Sequence, residues 1–149
     1  MLDDALVQIQ SVGDVIRLAV APVFLLSACA MMLGVLTNRL ARVVDRARQF
    51  EARLPDAAAV VQTEIQQTLG VLARRARLMN RAVTMVTVCA LLVAIVVVTL
   101  FLGAFFDFGI VSTIAVLFIA AMCAFVIALL CFLREVFIAT AALRIGGRR

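Results

Sequence analysis

"LAVAPVFLLSACAMMLG", residues 18–34, runs straight into "VLTNRLARVVDRARQFEARL", residues 35–54, and the join between them decides the fold. Residues 18–36 carry no charge. At 1.5 Å per residue such a run covers about 28 Å, close to the hydrocarbon thickness of a bilayer. The next stretch is charged, yet its apolar residues keep a helical rhythm. Leu36, Leu40, Val43, Ala47, Phe50 and Leu54 follow at alternating steps of four and three. That is a heptad seam, so the span is expected to continue as one helix to about Leu54. Pro55 then ends it, because the residue before a proline is pushed out of the helical region. Asp56 is placed to cap the next helix.

Working outward, Val61, Ile65, Thr68, Leu72, Ala76, Met79 and Val83 give a matching seam on a return helix, with Gly70 as its weak point. It enters "AVTMVTVCALLVAIVVVTLFLGAFF", residues 82–106, without a breaker. Only "DFG", residues 107–109, separates this run from "IVSTIAVLFIAAMCAFVIALLCFL", residues 110–133. Both runs are uncharged and long enough to cross a bilayer. The expected fold is all-α: an integral membrane protein with three transmembrane helices, the first two extended into a cytoplasmic antiparallel helical hairpin. Residues 1–17 are read as an outer interfacial helix, with Leu2, Leu6, Ile9, Val12 and Ile16 on one face. Span 1 is 18–36, the hairpin 37–81, span 2 82–106, the outer turn 107–109, span 3 110–133 and the cytoplasmic tail 134–149.

Arginine placement sets the orientation. Segment 37–81 carries nine arginines and the tail adds Arg134, Arg144, Arg148 and Arg149, whereas the 107–109 link has none. Positive charge stays on the cytoplasmic side, so hairpin and tail are expected inside and the N-terminus outside. Asp3, Asp4 and Asp14 against Arg17 agree with that placement.

Composition narrows the chemistry. The chain of 149 residues is 66% hydrophobic, well above a soluble domain. All fourteen basic residues are arginine, and there is no His, Lys, Trp or Tyr. The commonest general base and metal ligand is therefore missing, as is any amine nucleophile. Cys29, Cys89, Cys123 and Cys131 lie inside apolar runs and form no CxxC pair, which suits packing better than metal binding. No catalytic group, metal site or cofactor is expected, and the chain is read as a non-enzyme. "LSAC" at 26–29 lacks a basic leader, and "DFG" has no kinase context. The arginines have only Phe50 interleaved among them and are diluted by Asp45, Glu51, Asp56 and Glu64, which argues against nucleic acid and for anionic lipid at the inner face.

Two polar features remain. Ser27, Gly34, Asn38, Ala41 and Asp45 form a small and polar stripe opposite the apolar seam of the first helix. Ala120, Ala124 and Ala128 give the third span a small face of its own, and together these faces suggest self-association. Asn38-Arg39 closes the first span and Asn80-Arg81 opens the second. Asn80, Thr84 and Thr87 form another polar stripe, and Glu135 lies at a comparable depth. Asn38, Arg39, Asn80, Arg81, Thr84 and Glu135 are thus a candidate inner-mouth cluster, joined by Ser27, Gly34 and Asp45 as candidate pore residues. Pro22 is a candidate kink. Phe101, Phe105, Phe106 and Phe108 are expected to form an outer apolar cap.

"APVFLLSACAMMLGVLTNRLARVVDRAR" together with the later "RRARLMNRAV" resembles a bacterial family known only as a domain of unknown function. The resemblance covers roughly residues 8–135. It implies a short three-span membrane protein of the bacterial inner membrane and implies no activity. Two functions fit the residues: a homo-oligomeric pore lined by the polar face of span 1, or a scaffold or regulatory subunit whose cytoplasmic stalk binds a protein partner or anionic lipid.

Overall fold

The computed structural model describes residues 2–55, 58–106 and 111–145, and the side chains of residues 13, 16–55, 58–103 and 111–140. The described residues form three helices: α1 (Leu2–Arg53), α2 (Ala59–Phe106) and α3 (Val111–Ile145). Each contains a segment long and apolar enough to cross a membrane, with mean hydropathies of 2.3, 3.0 and 3.1. α1 has 52 residues and α2 has 48. At 1.5 Å per residue these rods are about 78 and 72 Å long, more than twice a hydrocarbon core of about 30 Å. Both must therefore extend well beyond any bilayer they cross.

Residues 2–17 are helical and continuous with the span that follows. α1 also passes through Pro22, which is buried. That proline lacks an N–H, so the carbonyl of Leu18 loses its usual helical partner. At the other end the Leu54 N–H donates to the Glu51 carbonyl at 3.2 Å, and Pro55 ends the helix. Across the connection, Gln62 Nε2 donates to the Leu54 carbonyl at 3.3 Å and satisfies a helix-end acceptor. Asp56, the expected cap, lies outside the described residues, as do the 107–109 link and Phe108. The side chains of Phe105 and Phe106 and of residues 2–12 also lie outside them.

The chain divides into two compact units. One comprises Met1–Met32 with Val86–Val126. Its described buried residues are Ala19, Pro22, Cys29, Val86, Cys89, Val93, Val96, Ala121 and Ala124. Heptad steps separate Val86 from Val93 and Cys89 from Val96, so one stripe of α2 supplies much of this core. Its other face is exposed, with Val88, Leu91, Ile95 and Val98 all on the surface. An apolar surface of this extent suits hydrocarbon rather than water.

The second unit comprises Leu33–Met85 with Ile127–Arg149. Val43, Leu72 and Met79 form its buried cluster, and Leu40, Ala47, Phe50 and Ala76 pack against them. The α1 seam follows the sequence pattern: Leu36 and Val43 are buried, and Leu40, Ala47, Phe50 and Leu54 are half-buried. On α2 the seam holds from Ile65 to Met79, but Val61 is 46% exposed, so it begins one turn later than the pattern suggests.

The small face of α3 differs by one position. Ala121, Ala124 and Ala128 are buried, whereas Ala120 is exposed. Steps of four advance a helix by 400°, so Ala120, Ala124 and Ala128 drift about 40° per step, while a step of three followed by four nearly cancels the drift. These alanines are spent on packing inside the chain, which removes them from the argument for self-association.

Candidate functional site

Glu135 is the only acid between Val111 and Ile145, and it is fully buried. An unpaired carboxylate in such a place would cost several kcal/mol, on the order of what desolvation takes from any buried ion. α1 and α2 supply the counter-charges. Arg75 donates from Nε at 3.0 Å and from Nη2 at 2.8 Å, both to Oε1 of Glu135. Arg39 donates from Nη1 to Oε2 at 3.1 Å. Both oxygens are engaged, and among the described residues no buried side-chain nitrogen or oxygen lacks a partner.

Local sequence explains the convergence. Arg75 lies between Leu72 and Met79, three and four residues from two buried seam positions, so it emerges beside the α1–α2 core. Arg39 sits three residues after buried Leu36 and four before buried Val43. Phe132 precedes Glu135 by one helical turn and shares its face; the Arg39 guanidinium lies 5.1 Å from the centre of its ring. All three helices thus contribute to one cluster inside the second unit. It carries two positive charges and one negative. The arginine side chains keep some solvent contact, at 33% exposure for Arg39 and 22% for Arg75.

No nucleophile appears in the cluster, and among the described residues no group of three or more His, Cys, Asp or Glu converges on a metal position. Its evident work is to hold three helices at one depth through charge-assisted bonds.

Of the residues singled out in the sequence, the structure brings together Arg39 and Glu135. Asn38, Asn80, Arg81 and Thr84 are exposed and outside the cluster, and the Thr84 hydroxyl donates to the Asn80 carbonyl at 3.0 Å. Ser27, Gly34 and Asp45 are exposed too; Ser27 donates to the Val23 carbonyl at 3.2 Å. Arg75 is the member that periodicity alone passes over, since the seam reads through Ala76. The signal available was the lone acid of the third helix, which needed a guanidinium from each of the other two. The thiols give a second surprise. Cys29 and Cys89, sixty residues apart, are both buried with their sulfurs 3.6 Å apart.

Residues 19–145 match the model of a family described as "Protein of unknown function (DUF2721)". The chain belongs to this family. The match takes in the Arg39–Arg75–Glu135 cluster and the Cys29–Cys89 pair, so both lie within the family's own region. No curated protein and no solved structure matches the chain.

Proposed function

We propose that this is a homo-oligomeric, non-enzymatic protein of the bacterial inner membrane, whose copies meet along the exposed face of α1 and enclose a polar pathway there. The observation that carries the reading is a second heptad seam on α1. Val20, Phe24, Ser27, Met31, Gly34, Asn38, Ala41 and Asp45 follow at alternating steps of four and three, and all are exposed. Phe24 is 72% exposed and Met31 69%. Knob-sized side chains at this spacing are what a partner helix accepts. The seam is apolar toward the N-terminal half and small or polar from Gly34 onward, which would give a pore an apolar constriction and a polar inner mouth. Arginine placement puts the N-terminus outside and the 37–81 segment in the cytoplasm. There α1 and α2 pair antiparallel, a reading supported by the Val43–Leu72–Met79 cluster and the Gln62 bond to Leu54.

Gly34 offers the test. A Cβ added there meets nothing within 4 Å in the single chain, so the Gly34→Leu side chain starts into open space on the exposed face. Subunit counting in lipid nanodiscs should give several copies for the natural chain and fewer for the variant. Planar-bilayer recording should give a conductance that Asn38→Leu lowers. A monomer in nanodiscs, or bilayers as silent as lipid alone, overturns the proposal.

A second reading has its own observation. Exposed Arg42, Arg46 and Arg53, with Asp45, Gln49 and Phe50, line an open surface hollow of about 570 Å³ on α1. A scaffold or regulatory subunit would use this basic face to hold an acidic protein segment, with Arg81 and Arg134 nearer the span ends attracting anionic lipid. Each basic residue near such a surface contributes about 1 kcal/mol. Flotation with vesicles of increasing anionic lipid content, repeated at high salt, measures it; binding indifferent to both removes this reading.

A further inference from the structure

The two buried thiols of the first unit have no part in the pore or scaffold readings. We infer that Cys29 and Cys89 form an intramembrane redox site, a dithiol that passes two electrons and two protons to a lipid-dissolved quinone and closes as a disulfide between α1 and α2.

Geometry carries the first step. The sulfurs stand 3.6 Å apart across two helices, already in a thiol–thiol hydrogen bond. A disulfide needs about 2.05 Å, so the approach required is about 1.5 Å. Packing alone does not explain the choice of residue. Alanine or valine would fill these positions in an apolar core, as Val86, Val93 and Ala121 do in the same unit. Cys123 and Cys131 sit at exposed and half-buried positions on α3 without a thiol neighbour among the described residues, so proximity is specific to this pair.

Location selects the oxidant. Both sulfurs lie well inside segments apolar enough to cross a membrane. Charged disulfides of the cytosol do not dissolve there, whereas a neutral quinone does. The balance closes without water: two S–H bonds break, one S–S bond forms, the sulfurs lose two electrons, and the quinone oxygens take up both electrons and both protons to give the hydroquinone. A quinone that takes the protons itself removes the need for a nearby base, and none of the described buried residues of this unit is one.

The experiment uses the full chain in membranes, with Cys123 and Cys131 replaced by serine so that only one pair remains. The protein is incubated with decylubiquinone or with oxidised glutathione, blocked with an alkylating reagent, and digested without reduction. Decylubiquinone should remove both alkylatable thiols and yield a linked Cys29–Cys89 peptide, which a phosphine reductant separates again. Oxidised glutathione should leave both thiols in place. If the replacements prevent folding, the natural chain is treated identically and the linked peptide identified by fragmentation. Thiols that stay alkylatable after quinone treatment overturn the inference. So does a glutathione adduct on Cys29 or Cys89, which would show a site reached from water. Neither result bears on the oligomer, so the two proposals fail separately.

Discussion

Replace Arg75 by methionine and Glu135 loses two of its three guanidinium bonds while staying fully buried. A hydrogen bond to a charged group contributes about 1.5–3 kcal/mol, and removing one partner of a buried ion pair costs about 3–5 kcal/mol. The Arg75 side chain is 22% exposed, and methionine keeps the packing of its stem, so the lower end applies: about 3 kcal/mol. Arg39→Met removes one bond from a side chain 33% exposed and should cost about half as much. Glu135→Leu should cost less than Arg75→Met, because both arginines it strands already reach solvent. Combining Arg75→Met with Glu135→Leu should cost clearly less than the sum of the two, the mark of a coupled pair. Reversible denaturation in mixed micelles, with Arg77→Met as the exposed reference, gives all four values. Were Arg75→Met to match Arg77→Met, the buried carboxylate would have another source of stability and the account of this cluster would be wrong.

Three further outcomes are expected in the same assay. Leu72→Ala empties part of the Val43–Met79 cluster and should cost about 2–5 kcal/mol, against little for exposed Val71→Ala. Ala128→Leu overfills a position with no exposure and should cost about 1–3 kcal/mol or more, while Ala120→Leu on the exposed side should be nearly neutral. Gly70→Ala lies mid-helix with open space around the new methyl and should stabilise the chain by about 0.5–1 kcal/mol, read as a rise in the denaturation midpoint.

Much of the architecture was legible because it rests on periodicity. The seam from Leu36 to Leu54 names the buried face of α1, and Pro55 marks its end. Where two periods compete, the sequence is ambiguous. Ala120 and Ala121 differ by 100° on α3, and both belong to plausible small-residue stripes; only packing chooses between them. The site was half legible for a different reason. Arg39 and Glu135 stand at span ends, where polar residues draw notice. Arg75 stands inside a stretch already rich in arginine, and charge counting cannot tell a counter-ion from a topology signal. Cys29 and Cys89 are further apart still: their meeting depends on the register between two long helices, which no local pattern records.

The Glu135 cluster also imposes an order on assembly. The two arginines are synthesised before the acid, and α3 brings the carboxylate that joins them. A nascent chain holding α1 and α2 alone therefore carries two cations at the place where their counter-ion will later lie. Insertion of the last helix closes the ion pairs, so the second unit is electrically complete only once the third span has been made.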